Sequence, residues 1–405
     1  MASKSTSARA VRKKQPARKK KKTWKDWLRY FTSFLTSEYY DFNLLAAVIL
    51  LTSFGLVMLY STSAYKALLQ PGGDDMAYFG KQMGIGVFSL LVAVFASNID
   101  YHDLARVFST LLYAVSLFLL FITKFIGREV NGARRWIYIG SVSFQPAELA
   151  KLAIILFLPY VIVKMGRTMR TLRSNITVLI FGAITSGMTF YFTENLSTAI
   201  IIACITVIMI FVACPKTKEV VLAGIAAGIC AAVVVVIWFN TSSGGFRAVR
   251  IRVWLNPEKY ASEGGYQIMQ ALYAIGSGGF FGKGLGKSTQ KLGAIPEAQN
   301  DMIFSIICEE LGVFGAALVM LLFVFLLYRL YFIAKNAPDL LGSLIVTGIF
   351  AHIAIQVVFN IAVVTNLFPT TGITLPFISY GGTSIMFLMA EMSLALGVSR
   401  QIRFQ

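Results

Sequence analysis

Asp301 is the residue of this chain whose type and position best suit proton-transfer chemistry. It follows a long polar loop and stands where a long apolar stretch, 301–328, begins. A carboxylate in such a place can act as a general base that takes a proton from a reacting hydroxyl. The alternative role is structural, because Asp301 or the neighbouring Asn300 can cap the helix that the apolar stretch predicts, where the helix dipole favours a charged carboxylate.

Helical spacing predicts what lies on the same face as Asp301. Glu309 points sideways from that face and Glu310 roughly opposite, so the three acids do not converge on one substrate. We expect Glu310 to be the structural partner of another helix. The Asp301 face is small and polar and could line a cavity. Its members are Ser305, Cys308 and Gly312.

Two further polar groups lie inside apolar stretches, where ionisable side chains are costly and suggest a functional site. Glu148 and Lys151 are three residues apart and can pair on one helix face, as a functional site or as a structural ion pair. His352, Gln356 and Asn360 recur at every fourth residue and form one polar stripe. Interhelical hydrogen bonding is the favoured role of that stripe, and a metal ligand at His352 is the less favoured one.

The segment 369–384 combines proline, glycine and hydroxyl side chains next to an apolar stretch. Irregular backbone at membrane depth is tolerated where it is buried in protein or lines a cavity. The composition therefore predicts a broken helix around a buried site, with Ser379 and Tyr380 inside it.

The elements that must position these residues are long apolar helices. The chain has 405 residues, of which 57% are hydrophobic and 14% charged. Apolar runs of about 20 residues are long enough to cross a bilayer as helices. We predict an all-α integral membrane protein with about ten transmembrane helices and one large extracytoplasmic loop. The predicted spans lie near 42–62, 79–98, 107–126, 148–165, 175–192, 198–214, 219–239, 301–328, 341–365 and 377–399.

Charge predicts the orientation of the chain. The formal net charge is +18, and basic residues concentrate in the tail 1–41, beside the first span. Such a cluster favours a topology signal or contact with anionic membrane lipid over nucleic-acid binding. Short loops on the side of the tail are also basic, which predicts two cytoplasmic termini. We therefore expect a tail at 1–41, a ten-helix domain at 42–400 that includes the 240–300 loop, and a cytoplasmic C-terminus at 401–405.

Two predicted extracytoplasmic loops, 127–147 and 240–300, carry positive charge on the side that the positive-inside rule disfavours. A long loop can be translocated whatever its charge. For the long loop alone, this explanation and the binding of an anionic ligand are equally favoured. The two loops together favour the ligand. Within the long loop, basic and apolar residues alternate at 247–257, which favours the membrane interface over an element packed on the domain.

The four cysteines lie in or at the edge of apolar runs and lack metal-ligand spacing, so small packing residues are favoured over disulfides or zinc.

Several motifs together resemble the SEDS family (shape, elongation, division and sporulation), bacterial polymerases of peptidoglycan glycan strands. The resemblance covers about residues 42–400, and its division and sporulation branch, FtsW and SpoVE, is more similar than RodA. The family's His-Thr before the aspartate is replaced by Gln299 and Asn300, the aromatic after it by Met302, and an acid by Asn195. The Asp301 acid itself is kept. The motifs lie at 131–137, 145–151, 265–267 with 270, 284–286, 290–293, 296–298 with 301, and 376–384.

The resemblance implies a reaction and a set of site residues. Asp301 would take the proton from the 4-hydroxyl of the acceptor, lipid II, as that oxygen attacks the anomeric carbon of a glycan on undecaprenyl pyrophosphate. The product is a β-1,4 bond formed with inversion, and undecaprenyl pyrophosphate is released. A divalent cation, Mg²⁺ or Mn²⁺, could share the pyrophosphate charge, although the sequence shows no clear metal cage. Substrate- and pyrophosphate-binding roles would fall to Arg134, Arg135, Gln145, Glu148, Lys151, Arg250, Arg252, Lys291, Ser379 and Tyr380.

The resemblance also implies a class B penicillin-binding transpeptidase and other division proteins as partners. Two rival functions stay open, a lipid II flippase and a non-catalytic scaffold that recruits the transpeptidase. A flippase needs polar residues along a whole translocation path, whereas the polar groups here cluster towards the predicted outer half of the spans. A scaffold alone would need neither Asp301 nor the basic outer loops.

Overall fold

The computed structural model describes residues 40–69, 73–130, 133–140, 142–214, 246–293 and 295–403. Within these ranges, nine helices are long and apolar enough to cross a membrane, and each matches a predicted span. The predicted span at 219–239 and residues 1–39 of the tail lie outside the described residues. The helices are α1 (Phe42–Leu68), α2 (Ala77–Ala96), α3 (Tyr101–Ile126), α4 (Pro146–Met165), α5 (Leu172–Thr193), α6 (Leu196–Ala213), α7 (Phe246–Leu255), α8 (Gly265–Ser277), α9 (Ile303–Asn336), α10 (Leu340–Val364) and α11 (Gly382–Ser399), with α7 and α8 too short to span.

Side-chain caps fix where several of these helices begin. Asp41, Asn195 and Asp339 each accept a hydrogen bond from the main-chain N–H three residues later, at 2.9, 3.1 and 2.7 Å. These bonds satisfy N–H groups that have no partner inside the helix. Asn195 stands where the SEDS pattern has an acid, and capping α6 needs no charge. Asp41 is buried, so it belongs to the helical domain and not to the predicted tail.

Burial separates an inner layer of helices from an outer layer. The most apolar windows of α10 and α11 are 61% and 72% buried, whereas those of α2 and α3 are 22% and 28% buried. The outer helices expose large apolar side chains such as Phe88, Leu111 and Phe118. Such surfaces are unfavourable in water and fit the hydrocarbon of a bilayer. The inner layer, which includes α4, is where polar side chains need protein partners.

A small antiparallel sheet in the described part of the 127–147 loop adds to the predicted all-α fold. Its strands are β1 (Arg128–Val130), β2 (Ala133–Ile139) and β3 (Val142–Phe144), in the order β1-β2-β3. Glu129 pairs with Arg134, and Tyr138 pairs with Ser143. The sequence analysis missed these strands because two of them are three residues long, too short for an alternating pattern to be recognised. Only Gln145 separates the end of the sheet from the start of α4.

The long loop contains α7, which packs on the connection between α10 and α11. The indole Nε1 of Trp254 donates to the carbonyl of Asn366 at 3.0 Å, and Arg250 Nη1 donates to the carbonyl of Thr370 at 3.1 Å. Val253 is buried beside them. These donors satisfy carbonyls of an irregular segment, which must find partners somewhere. The structure therefore supports the alternative of an element packed on the domain, and the favoured membrane-interface role stays a prediction.

Helix α9 is broken at Gly312, whose φ of 65° and ψ of −162° lie outside the helical region. A break leaves main-chain groups without intrahelical partners, and the glycine-rich segment 279–284 supplies them. A Cβ at position 312 would collide with Phe280 O and Gly282 N, so the close approach requires glycine. The main-chain bonds, donor first, are Lys283 N to Glu309 O (2.9 Å), Gly284 N to Glu310 O (2.9 Å), Val313 N to Gly279 O (3.0 Å) and Phe314 N to Phe280 O (3.1 Å).

Candidate active site at Asp301

Asp301 lies in the turn that precedes α9. The helix begins two residues later with Met302 in the N-cap position, so the predicted capping role of Asp301 is wrong. Asn300 does not cap either, because its Oδ1 accepts no hydrogen bond from the described residues, while its Nδ2 donates to the Glu297 carboxylate at 2.7 Å. The main-chain carbonyl of Asp301 accepts a hydrogen bond from Asn360 Nδ2 of α10 at 2.8 Å. The backbone of the acid is thus fixed to the inner layer.

The carboxyl group of Asp301 has a pKa raised to about 6. Burial is the largest cause, the positive charge of Arg250 opposes it, and the negative charge of Glu297 adds to it. The helix dipole was expected to favour the charged carboxylate, but burial has the larger effect and raises the pKa. A pKa near 6 leaves most of the group ionised at neutral pH and makes it a stronger base than an ordinary aspartate.

The face predicted to line a cavity below Asp301 is packed. Ser305 is fully buried, and its hydroxyl donates to the carbonyl of Met302 at 2.7 Å. Cys308 is buried as well, and Gly312 lies against the glycine-rich segment. The cavity prediction is wrong because one helical wheel does not describe these positions: α9 starts after Asp301 and breaks at Gly312.

The prediction that Glu310 partners another helix is confirmed, since it accepts hydrogen bonds from Ser61 Oγ of α1 at 2.7 and 2.8 Å.

The Glu148–Lys151 pair exists and is buried between α4, α10 and α11. Lys151 Nζ lies 2.9 Å from Glu148 Oε1, with the lysine side chain 2% exposed. Lys151 Nζ also donates to Gln356 Oε1 at 3.1 Å, and Ser384 Oγ donates to Glu148 Oε2 at 3.0 Å. The two charges neutralise each other inside the protein, so this geometry fits the structural alternative and holds the start of α11 against α4.

The polar stripe of α10 continues this buried network. His352 Nε2 lies 2.8 Å from Gln356 Oε1, and His352 Nδ1 lies 2.8 Å from Glu391 Oε2 of α11. Gln356 Nε2 donates to the carbonyl of Thr374 at 3.0 Å. The favoured prediction of interhelical hydrogen bonding is confirmed. Across the described ranges, no group of three or more metal-ligating side chains is placed to hold an ion, so nothing supports His352 as a ligand.

The irregular segment before α11 forms the floor beside Asp301. Ser379 is buried and its Oγ accepts a hydrogen bond from Leu375 N at 2.8 Å. Tyr380 N donates to the carbonyl of Gln299, two residues before Asp301, at 2.9 Å. The Tyr380 ring packs edge-on against Tyr78 of α2, with centroids 5.1 Å apart. The predicted buried, non-helical segment is confirmed, and it contacts the turn that carries the acid.

The predicted phosphate-binding arginines lie on two different elements. Arg134 and Arg135 are on β2, where their guanidinium groups donate to the carbonyls of Lys124 and Glu194 at 3.2 and 3.1 Å. Arg250 and Arg252 are on α7, and the Arg252 guanidinium lies 5.8 Å from the ring centroid of Tyr260. Of the arginines, Arg250 is the one whose charge acts on Asp301 among the described residues.

Lys291 and Gln145 lie elsewhere than expected. The ammonium of Lys291 is 2.7 Å from Glu310 Oε1 and 3.0 Å from Ser61 Oγ, and its side chain is 8% exposed. The prediction that Lys291 binds pyrophosphate is therefore not supported, because a buried carboxylate already neutralises it. Gln145 is partly buried between β3 and α4, in the N-cap position of α4.

Sequence reasoning missed the ion pair between Lys66 of α1 and Glu297, and that between Lys283 and Glu309. The Lys66 and Glu297 positions are 231 residues apart, so no local spacing signals their pairing.

The chain matches the family model of FtsW, RodA and SpoVE, described as cell cycle protein, over residues 42–403. The chain belongs to this family. Stage V sporulation protein E of Bacillus subtilis strain 168 is 39% identical over 370 residues, which is 90% of this chain and 98% of that protein. A probable peptidoglycan glycosyltransferase FtsW of Trichlorobacter lovleyi is 38% identical over 368 residues, 90% of this chain and 94% of that protein. The predicted resemblance to the division and sporulation branch of the SEDS family is confirmed.

Solved structures share the fold. A chain in a peptidoglycan synthase complex, described as structurally coordinating polymerization and crosslinking, matches with a TM-score of 0.75 and 27% identity, over 89% of this chain and 98% of that one. The rod shape determining protein RodA of Thermus thermophilus matches with a TM-score of 0.64 and 26% identity, over 90% and 98% of the two chains. The predicted helical, multi-pass membrane architecture is confirmed.

Proposed function

We propose that this chain is a peptidoglycan glycosyltransferase that joins lipid II units into glycan strands, with Asp301 as the general base. The observation that carries the role of Asp301 is a fixed main chain combined with a partly buried carboxyl group whose pKa is raised to about 6. Relatives named probable peptidoglycan glycosyltransferase FtsW, 32–38% identical over 90% of the chain, support the reaction class.

The proposed step is one displacement. The Asp301 carboxylate accepts the proton of the acceptor 4-hydroxyl, and that oxygen forms a bond to the anomeric carbon of the donor glycan. The bond between that carbon and the pyrophosphate oxygen breaks, and undecaprenyl pyrophosphate leaves with the electron pair. Attack opposite to the leaving group inverts the α-linked donor to a β-1,4 link. The proton then rests on Asp301 until solvent removes it.

The leaving pyrophosphate gathers negative charge that nearby cations can stabilise. Arg250 is the strongest candidate, since its charge already acts on Asp301. Arg134, Arg135 and Arg252 are further candidates on β2 and α7. Ser379 and Tyr380 would shape the floor, and the buried Glu148–Lys151 pair would support that floor through Ser384 and Gln356.

The resemblance also implies a divalent cation, Mg²⁺ or Mn²⁺. Carboxylates are the protein ligands these ions prefer. In the part of the chain that the structure describes, however, no three acids or histidines converge to hold one. The donor set therefore does not fit a dedicated protein cage, and the mechanism above routes no step through a metal.

The lipid tails of both substrates fit a site at the end of a helical bundle whose outer surface is apolar. We place Asp301 on the extracytoplasmic side and both termini in the cytoplasm, with the basic tail on anionic lipid. The positive-inside charge pattern supports this orientation. A class B penicillin-binding transpeptidase is the proposed partner, since a relative of this fold lies in a peptidoglycan synthase complex that couples polymerization to crosslinking.

Polymerisation of fluorescent lipid II by purified protein, with its cognate transpeptidase, tests the assignment. Wild type should give glycan ladders, and Asp301→Asn should slow them at least about 100-fold, the usual contribution of a general base. Asp103→Asn, an exposed carboxylate in the first turn of α3, is the matched control and should leave the rate unchanged.

Ladders formed by Asp301→Asn at the wild-type rate would remove Asp301 from the chemistry. Absence of ladders from wild type, combined with movement of lipid II across vesicles that hold the protein, would favour the flippase.

A further inference from the structure

Two neighbouring carboxylates of α9 bind the same irregular segment just before the break at Gly312. Glu309 and Glu310 follow each other in sequence, so their side chains project about 100° apart around the helix. Both side chains are fully buried. Buried carboxylates require cationic or hydrogen-bonding partners, and here these come from residues 283–291 and from Ser61 of α1.

Glu309 binds the first part of that segment. Its Oε1 lies 2.7 Å from Lys283 Nζ and accepts hydrogen bonds from Thr289 N at 3.2 Å and Thr289 Oγ1 at 3.1 Å. The hydroxyl of Ser288 donates to Oε2. One carboxylate therefore holds three residues of an otherwise irregular chain.

Glu310 binds the next part and adds α1. Its Oε1 lies 2.7 Å from Lys291 Nζ and accepts from Ser288 N at 3.3 Å. Ser61 Oγ of α1 donates to the same carboxylate, and Lys291 Nζ donates to Ser61 Oγ at 3.0 Å. The lysine is therefore fixed between two helices.

Residues 297–300, directly before Asp301, are also held by an ion pair and hydrogen bonds. Lys66 of α1 pairs with Glu297, whose Oε2 accepts from Gln299 at 3.2 Å and from Asn300 at 2.7 Å. The carbonyl of Gln299 accepts from Tyr380 N. Residues 297–300 therefore meet Asp301 with little freedom to move away from α1 and from the segment before α11.

We propose that Glu309 with Lys283, and Glu310 with Lys291 and Ser61, form an ionic clasp that positions Asp301 for the reaction. The inference rests on the proposed function and assigns these residues a positioning role, because none of them is required to touch substrate. It replaces phosphate binding as the role of Lys291. A reacting group displaced by about 1 Å can lose about 100-fold in rate, so a device that fixes the backbone before the base has a measurable effect.

The clasp also controls the water around Asp301. The groups whose charges act on the acid are Arg250 of α7 and Glu297, and burial is the largest influence on its pKa. Opening of the clasp would let the segment that leads to Asp301 move and would expose the carboxylate to more water. Hydration lowers the pKa of a buried acid, so the acid limb of the rate would move to lower pH.

The test uses the full-length protein with its transpeptidase and lipid II. Lys291→Met should lower kcat about 10-fold or more with KM changed less than about 3-fold, and should move the acid limb to lower pH. Lys291→Arg should restore most of the rate, because it keeps the charge beside Glu310. Ser61→Ala, which removes a hydroxyl without leaving a charge unpaired, should show a smaller loss of the same kind. Asp41→Asn, which breaks the ion pair with Arg329 at the far end of α9, should leave kcat per folded molecule and the pH profile unchanged.

The outcomes separate the clasp from the catalytic assignment. A raised KM with unchanged kcat in Lys291→Met would overturn the clasp and return Lys291 to substrate binding. An unchanged kcat and pH profile in folded Ser61→Ala and Lys291→Met would also overturn it. If Lys291→Met does not fold, the Ser61→Ala and Lys291→Arg profiles decide. Polymerisation by Asp301→Asn at the wild-type rate would instead refute the proposed function, whatever the clasp variants show.

Discussion

Each end of α9 carries a buried ion pair and contacts α1, yet the two ends hold different structures. At one end, Arg329 Nη2 lies 2.6 Å from Asp41 Oδ2, and Asp41 also caps α1. At the other end, Glu310 binds α1 and the ammonium of Lys291, which belongs to an irregular segment leading to Asp301. At the Asp41 end the ion pair joins two regular helices. At the Glu310 end the ion pair holds the irregular segment that leads to Asp301.

The comparison explains why an ion pair inside an apolar bundle is not by itself a sign of function. Removing one partner of a buried pair leaves an uncompensated charge and costs stability wherever the pair lies. An ion pair has a role in the reaction only if its removal also changes kcat or the pH dependence of the rate. The two ends of α9 therefore make a controlled pair, and the predictions below separate their roles.

The largest expected effect on stability is at the Asp41 end. Asp41→Asn deprives Arg329 of its carboxylate and should lower the free energy of unfolding by about 3 kcal/mol. Turnover per folded molecule should not change, because Arg329 follows Asp301 by 28 residues, most of them in α9, and a helix rises about 1.5 Å per residue. Unfolding in detergent and lipid II polymerisation measure the two quantities. Asp103→Asn is the control, with a change within about 0.5 kcal/mol. A fall in the kcat of folded Asp41→Asn would contradict the proposal that the two ends of α9 have different roles.

A smaller effect is expected at the break in α9. Gly312→Ala forces a side chain into a backbone conformation that costs about 1–3 kcal/mol and places Cβ against Phe280 O. Stability and kcat should both fall, since the break carries the clasp. Gly187→Ala in α5, where a Cβ meets open space, is the control and should be neutral or stabilising. A Gly312→Ala protein with normal kcat would show that the broken geometry does not matter for the reaction.

The smallest effect is a shift in pH dependence at the Asp301 end. Arg250→Gln removes a positive charge that favours the Asp301 carboxylate, so the pKa of Asp301 should rise further. Because the base acts when deprotonated, the acid limb of the rate should move to higher pH, by less than about one unit. Lys259→Gln, an exposed cation in the same loop, should cause no shift. Movement of the limb to lower pH would contradict the sign of the interaction.

The sequence was sufficient to predict side-chain pairs whose partners lie about one helical turn apart and spans whose length and apolar composition identify them. Glu148 with Lys151 and the His352–Gln356 stripe follow from spacings of three and four residues, and the spans follow from apolar length. The Asp301 acid came from its place in a motif. The predictions that failed were the capping role of Asp301 and the cavity below it, and both depended on where α9 begins and breaks. Asp301 lies outside the helix, and Gly312 leaves the helical conformation.

Long-range pairings were beyond prediction for a physical reason. Lys291 and Glu310 are 19 residues apart across an irregular segment, and Ser61 joins them from 249 residues away. A basic residue in a positively charged loop suggests an anionic ligand, and nothing in the local pattern reveals that the anion is a buried carboxylate of the same chain. The sheet that carries Arg134 and Arg135 on β2 was missed because its other two strands, β1 and β3, are three residues long and give no period to recognise.

The pH dependence of polymerisation tests the central claim, that Asp301 is the general base, most directly. With lipid II well below its KM and with the cognate transpeptidase present, the wild-type rate should be level near neutral pH and fall about tenfold per pH unit below about 6, where the Asp301 carboxylate of the free protein takes up a proton. The residual rate of Asp301→Asn should lack that limb. An acid limb near pH 6 that persists in Asp301→Asn would contradict the account, because another group would then be the base.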